Sequence, residues 1–550
     1  MAFRIGSRVT AAAAAAATAA LVATWAVSPV TSQAAVVDRA EAEGRVLTGD
    51  AGALDLNTVA ALDGAYFADP SFAGSGFAPL DASVLSGLVE LEAGVSAFGP
   101  GGVIQLGALE QYASSETDAL PFASSGAITG TGAIDVGAAD DPAQQASIDL
   151  TELLDEAGLD ALLSEATLDL GAVSASATAT PEGSYVGDYQ VTDGTLTLTS
   201  PTVAAAGTTL SEAVGAVSTT ANGLVGTGGV VDTVVDPLFT TLEGTLNAVP
   251  LVSADLGEPT ATLTLDLQAA TAPILTEDLG DPEAGVTLNL STGEVVVDLA
   301  ALVANGTLND LPPNTELLDA ATITAINGQI DEILAGVGED LVAAVEGALN
   351  NAELDIVVEG DLELQAVLTT VPVGLDATIS GTLGGFAGVE GQPAPVTDLD
   401  LTTSSTLVNA LLQTVTGLVN ATLSQVVTQL GAPIAAVLST DALTSTTDGV
   451  VSGLGTALDP LLDSVADDLL AVTVNVQEEP GDFVDTRGED APSFTQRALS
   501  VALLPALGPE ALVDIDLASA TVKLAADEDE DANASASATA SAAADSDANA

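Results

Sequence analysis

The sequence predicts an α+β protein. Antiparallel β-strand blocks alternate with long amphipathic helices, behind a β-rich N-terminal region and ahead of a disordered acidic C-terminal tail. Three observations carry that prediction. Several short runs alternate polar and apolar residues with period two, which is the signature of a half-buried strand. Between them lie Ala/Val/Leu/Thr stretches whose apolar residues recur at helical spacing. Gly, Asp and Asn stand at the joints, where turn chemistry requires them.

The chain opens with Arg4 and Arg8, an apolar run from Ala11 to Val27, and small residues around Ser32-Gln33-Ala34. A charged start, an apolar middle and a small-residue site describe a secretory signal peptide over 1–34, cleaved after Ala34. Residues 35–204 form the β-rich region. It holds Tyr66, Phe67, Phe72, Phe77, Phe98, Tyr112 and Phe122, read as the core of a loop-rich β domain, with a ligand platform as the alternative. Asp149-Leu-Thr-Glu152 is placed to cap a short helix. Tyr185 to Val203 reads as a hairpin turning at Thr192-Asp193-Gly194, because Asp-Gly favours tight hairpin turns.

Residues 205–480 form the alternating block. Thr209-Leu-Ser-Glu212 matches a helix-starting capping box. Pro259 to Leu267 places Ala261, Leu263, Leu265 and Leu267 on one face of a strand and Thr260, Thr262, Thr264 and Asp266 on the other. Val286–Leu290 and Glu294–Leu299 flank Ser291-Thr-Gly293 as a hairpin. Strands are expected at Leu354–Val358, Leu362–Leu368 and Gly374–Leu383, and helices over Leu317–Leu349 and Leu443–Leu470.

The stretch Leu401–Thr440 is free of charge and long enough to raise the question of a membrane span. Leu407, Leu411, Val415, Leu418, Leu423, Val427 and Leu430 make one stripe, while Asn409, Gln413, Thr416, Asn420, Ser424 and Thr428 make the opposite one. Polar groups in hydrocarbon cost several kcal/mol each when unpartnered, so this reads as an amphipathic helix on a sheet, with no transmembrane span left after signal cleavage. The order of helices and strands suggests two or three α+β units stacked together. Residues 481–526 supply the last strands, and 527–550 are too rich in Asp, Ser and Ala to build a core.

Composition excludes much chemistry. The chain has 78 acidic residues, 7 basic ones and a formal charge of −71. It contains no His and no Cys, which removes Ser-His-Asp triads, thiol nucleophiles, His or Cys zinc sites and disulfides. Nucleic acid is excluded as a partner, since no Lys or Arg lies between Arg45 and Arg487 to neutralise phosphate. Arg487 and Arg497 are expected to pair with carboxylates at exposed positions, at about 0–1 kcal/mol each. Asp527, Asp529 and Asp531 begin like an EF-hand loop, but Ala532 and Ala538 stand where Gly and Glu are needed. No cofactor and no catalytic residue is expected. Weak binding of divalent cations, calcium among them, stays open without a named ligand.

Three segments carry a family resemblance: Ala40-Glu-Ala-Glu-Gly-Arg-Val-Leu-Thr-Gly49, Phe494-Thr-Gln-Arg-Ala-Leu-Ser500 and Asp514-Ile-Asp-Leu-Ala-Ser-Ala-Thr-Val522. Across Val36 to Lys523 the chain resembles the choice-of-anchor G family of actinobacterial surface proteins. The resemblance implies an exported domain held at the cell surface by varied C-terminal signals. After Lys523 this sequence shows no LPxTG-type motif, apolar span or basic stop, so release, non-covalent retention and a missing anchor all stay open.

The expected function is therefore an exported, cell-surface-associated structural or interaction protein without catalytic activity, adhesion included. Its partners would be cell-wall or surface components, and its oligomeric state is open. A carboxylate-based polysaccharide hydrolase is one alternative, and a cleft joining two carboxylates to Tyr185 or Tyr189 would favour it. A secreted apolar-ligand carrier is another, favoured by an enclosed dry cavity.

Overall fold

The computed structural model describes residues 40–524, apart from 52–53, 60–61, 81–97, 99–101, 108–109, 118, 137–144, 304, 367–368, 403–407, 485–491 and 504–512. The signal segment, Arg487 and the C-terminal tail lie outside the described residues. Helix and strand each take 37% of the chain, and every sheet is antiparallel, so the fold is α+β with a strand-rich N-terminal region.

The described strands make four sheets. In the terminal sheet, Ala40–Ala51 lies beside Val513–Lys523, which continues through Ser493–Leu503 and Leu470–Glu478 to Thr315–Glu316. The two ends of the described chain thus share one sheet. A second, small-residue sheet runs Tyr185–Val191, Val173–Ala179, Phe122–Gly126, Glu110–Ser115 and Gly74–Phe77. The central sheet is built on Val286–Asn289, Glu294–Asp298, Thr195–Thr199 and Glu165–Gly171. The fourth carries the long hairpin Glu353–Ala366 with Thr369–Thr382, edged by Val396–Thr402 on one side. Its other edge is made by Val252–Leu256 and Thr260–Thr264.

The terminal and small-residue sheets pack unusually close because Ala, Gly and Ser line both faces. Ala42, Ala65, Ala113, Ala123, Ala177 and Ala520 are buried between them. A Cβ on Gly44 would lie 2.5 Å from the carbonyl oxygens of Ser124 and Tyr112. At that range side chains bond across the gap. Ser125 Oγ donates to the Ser519 carbonyl at 2.9 Å, and Val46 N–H donates to Gln111 Oε1 at 2.9 Å. Gly44→Ala must therefore push backbone from backbone. We expect it to destabilise by about 1–3 kcal/mol, read as a lower urea midpoint.

Two large apolar cores lie beyond this contact. Helices Pro201–Asn222, Ala320–Asn351 and Asp441–Ser464 bury their apolar residues in the core that the central and terminal sheets share. Helices Val230–Asn247 and Asn409–Val437 cover one face of the fourth sheet. Ala320–Asn351 shows the driving pattern: Ile323, Ile326, Ile330, Leu334, Val337, Leu341, Val345 and Leu349 recur at three- and four-residue steps and are all buried. Each such side chain contributes about 1.5–3 kcal/mol of transfer free energy. The alternation along the sequence corresponds to a chain that passes back and forth between these two cores.

Acids start the helices. Asp266, Asp298 and Asp319 accept hydrogen bonds from first-turn N–H groups, and those bonds hold the Asp319 carboxyl below its ordinary pKa.

Three local expectations change. Thr209 lies inside a helix that begins at Pro201, and its hydroxyl donates to the Ala205 carbonyl instead of capping. Proline at the first turn outweighs a four-residue box. The strand from Pro259 stops at Thr264, because Asp266 caps helix Leu267–Leu275 and turns Leu267 into its first residue. Asp193-Gly194 is a crossing point and not a hairpin tip, for Tyr185–Val191 belongs to the small-residue sheet and Thr195–Thr199 to the central one. The hairpin turns instead at 180–184, where Ser184 N–H donates to Thr180 Oγ1. Both of its arms change sheet together, the other at Gly171, whose φ of +64° lets Thr192 approach.

By length and apolarity the stretch Asn409–Ser464 would pass as a membrane span, with 22% of its most apolar window buried. In the structure Val415, Val419, Leu423, Val426, Leu430 and Ile434 are buried against the fourth sheet. The hydroxyls of the polar stripe are not left unsatisfied, however. Thr416, Ser424 and Thr428 each donate to the carbonyl four residues back and so carry their own acceptor. The buried face, not an unsatisfied stripe, is what ties this helix to the sheet.

Candidate functional site

The three segments Ala40–Gly49, Phe494–Ser500 and Asp514–Val522 fall on three neighbouring strands of the terminal sheet. Their polar residues converge on one face. Arg45, Ser519 and Arg497 are directly opposite one another across the three strands, with Glu43, Thr521 and Thr495 in the next row. Beyond these lie Glu41, Lys523 and Ser493. In the other direction come Thr48, Asp516 and Ser500.

A shared irregularity keeps this face polar. Val46, Asn475, Ala498 and Ala518 drop out of the pairing in one row across four strands, and Asn475 and Ala518 take positive φ. Each strand thereby shifts its alternation by one residue, so Glu43 and Arg45 point the same way as Thr48. The slip is visible in the sequence as odd-numbered polar residues up to Arg45 and even-numbered ones from Thr48. It was the signal that sequence reasoning missed.

Every described basic residue is buried in this layer: Arg45, Arg497 and Lys523 expose 2–5% of their surface. Arg45 Nε donates to Glu43 Oε1 at 2.7 Å, and the other Glu43 oxygen accepts from Val484 N–H. Lys523 Nζ donates to Glu41 Oε1 at 2.9 Å, while Tyr66 donates to the second Glu41 oxygen at 2.6 Å. Arg497 reaches Glu478 at 3.0 Å, Asp516 at 3.0 Å and Asp482 at 3.4 Å. Its Nε–H points off the line to Asp516, so that contact is an ion pair and not a hydrogen bond. Burial acts to lower the Arg497 pKa, but Asp516, Glu478 and Asp482 outweigh it and hold the pKa above its ordinary value. Burial raises Asp516 against the pull of Arg497, and burial with Asp50 raises Asp514. The expectation of Arg497 at an exposed site is thus overturned. A long side chain in a strand with three carboxylates in reach is drawn inside.

The layer has no room for a ligand. The space between Arg45 and Arg497 is about 10 Å³, room for one water at most. It is a fastening, not a binding site.

The tyrosines weighed for a hydrolase are also committed. Tyr189 OH donates to the Leu308 carbonyl and accepts from Leu311 N–H. Tyr185 OH donates to the Pro492 carbonyl and accepts from Leu524 N–H. Asp188 and Asp310 lie near Tyr189 and Glu479 near Tyr185, but each hydroxyl is already held by two backbone groups. Two open grooves of about 440 and 480 Å³ flank helix Ala320–Asn351. The first sets Asp281, Glu332 and Asp340 around Leu279, Ile333 and Val337. Among the described residues no three acids cluster in a geometry that could hold a metal ion.

The aromatic residues of the N-terminal region did not form the core expected of them. Phe98 alone of the seven is buried, whereas Phe72 is 49% and Phe77 38% exposed. Phe67 and Phe72 stack at 5.1 Å, and Tyr112 meets Phe122 at 6.0 Å. Ala, Gly and Ser fill the close contact between the sheets and leave the larger rings outside.

The fold and its site define an antiparallel α+β protein, closed by a buried ion-pair layer at the meeting of its first and last strands. The chain belongs to the family described as Domain of unknown function (DUF8394), which it matches over residues 42–523. No curated protein and no solved structure matches it.

Proposed function

We propose that this is an exported, cell-surface interaction protein without catalytic activity. The observation that carries the reading is the distribution of the side chains. Every described base is locked inside, and the outer surface is anionic. Among the described residues, four of the seven exposed large apolar side chains, Phe72, Phe77, Leu120 and Val186, lie on or beside the small-residue sheet. The open grooves and the backbone-committed tyrosines give less support to a carrier or a hydrolase. The leader-like N-terminus and the choice-of-anchor resemblance supply the cell-surface location.

The test is fractionation of producing cells into cytoplasm, membrane, wall and medium, with and without a calcium chelator. Recovery in the wall or membrane fraction is the expected result, and loss on chelation would add a divalent bridge between acidic surfaces. Recovery in the cytoplasm, uncleaved, would overturn the reading.

A further inference from the structure

The outer face of the small-residue sheet differs from the rest of the surface. On the fourth sheet the solvent face carries acids in facing rows, with Glu359 opposite Asp376 and Asp376 opposite Asp400. Like charges placed this way destabilise a sheet, so this chain tolerates acids wherever a face is merely wet. The small-residue sheet instead shows Phe77 directly opposite Tyr112, with Phe122 diagonal to Tyr112 and its ring tilted 55° against it at 6.0 Å, so that three neighbouring strands each carry a ring. Beside them in register lie Ser114, Ser176 and Thr178. The acids on its five strands are Glu110 at one end and Asp188 on the edge strand.

Thr178 on this face donates to the Pro121 carbonyl and Ser75 to Glu116, but other hydroxyls there are free. Tyr112 is the one tyrosine whose hydroxyl has no hydrogen-bond partner among the described residues, and the hydroxyls of Ser114 and Ser176 have none either. Ser124 and Ser174, fully buried on the same face, likewise keep hydroxyls without a partner. The turn at 129–133 folds back over Ser124. A Cβ on Gly132 would fall within 2.9 Å of Tyr112, Phe122 and Ser124, so the turn forms a low wall against the rings.

We infer that this face is a binding platform for a neutral polysaccharide. A sugar ring presents an apolar C–H face and a rim of hydroxyls. Flat aromatic rings take the first, and unpartnered neutral hydroxyls take the second. Neutrality matters, since a chain at −71 repels polyanions everywhere, and a polycation would prefer the acid rows of the fourth sheet. Five strands at about 4.8 Å spacing span about 19 Å, and the turn at 129–133 covers part of the middle strand, so the open part beside Phe77 and Tyr112 is narrower than the sheet. This inference rests on the cell-surface reading and names its partner class.

The test uses the full chain in gels containing hydroxyethylcellulose, galactomannan or arabinogalactan, with cosedimentation on cellulose and chitin. Retention by at least one of these, persisting at about 1 M NaCl, is expected. Phe77→Ala and Tyr112→Ala should each weaken it roughly tenfold. Leu251→Ala, at an exposed apolar residue elsewhere, should leave it unchanged. Circular dichroism checks the fold, and Ser176→Glu, at a partly exposed position, is a second variant that should abolish retention without emptying any core. Retention by none of these polymers, retention only by cationic chitosan, or retention indifferent to Phe77 and Ser176 would overturn the inference. Wall recovery with no polysaccharide binding would sink this inference alone, whereas cytoplasmic recovery would sink the cell-surface reading.

Discussion

Arg497→Met is expected to destabilise the protein by about 3–5 kcal/mol, since it removes the cation that Asp516, Glu478 and Asp482 face among the described residues and leaves Asp516 charged inside the sheet. The urea midpoint reports the loss. Arg497→Met combined with Asp516→Leu should recover much of it, because an apolar pair of similar volume carries no unpaired charge. If the double variant is as unstable as the single one, the layer works through packing and not through charge pairing. The Glu478 and Asp482 partners are half-exposed or more, so substituting either alone should fall in the range of about 0–1 kcal/mol.

Acidification should stabilise the protein over a range where most proteins are indifferent. Burial holds Glu110, Asp169, Asp236, Asp514 and Asp516 above their ordinary carboxyl pKa values, each helped by a neighbouring acid. A raised native pKa means the folded state binds its proton more tightly than the unfolded one. The stabilisation is complete below the ordinary carboxyl range of about 4 and disappears as pH rises through the native values. Asp319, held low, opposes this, losing its contribution as pH falls through its native value. With five groups against one, and self-repulsion at −71 easing as protons bind, the melting temperature should rise by several degrees as pH falls from about 8 towards about 4. Salt at about 1 M, by screening, should raise the midpoint at pH 8 and narrow the gap between the two pH values. A melting temperature that falls monotonically with acidification would contradict this account.

What could be read from the sequence was local. The alternation in Val286–Asn289 and Glu294–Asp298, with Gly293 at φ +79°, fixes a hairpin without knowledge of its neighbours. The spacing from Ile323 to Leu349 likewise fixes a helix and its buried face. The pairing of Glu41 with Lys523 spans 482 positions, and no periodicity encodes which acid among 78 a lysine meets. Composition misled in one respect. Rings are usually buried and so point to a core, but here the contact between sheets is too narrow for them, as Gly44 and its carbonyl neighbours show. The rings that could mark a binding face were therefore visible by name and not by place.

The concealment of Arg45, Arg497 and Lys523 also bears on how the protein would survive outside a cell. Trypsin-like proteases cleave only after Lys or Arg, and each described site lies buried in a strand paired on both sides, so cutting there requires opening the terminal sheet. Reducing sugars and aldehydes face the same barrier, for the Lys523 amine is held against Glu41 and out of their reach.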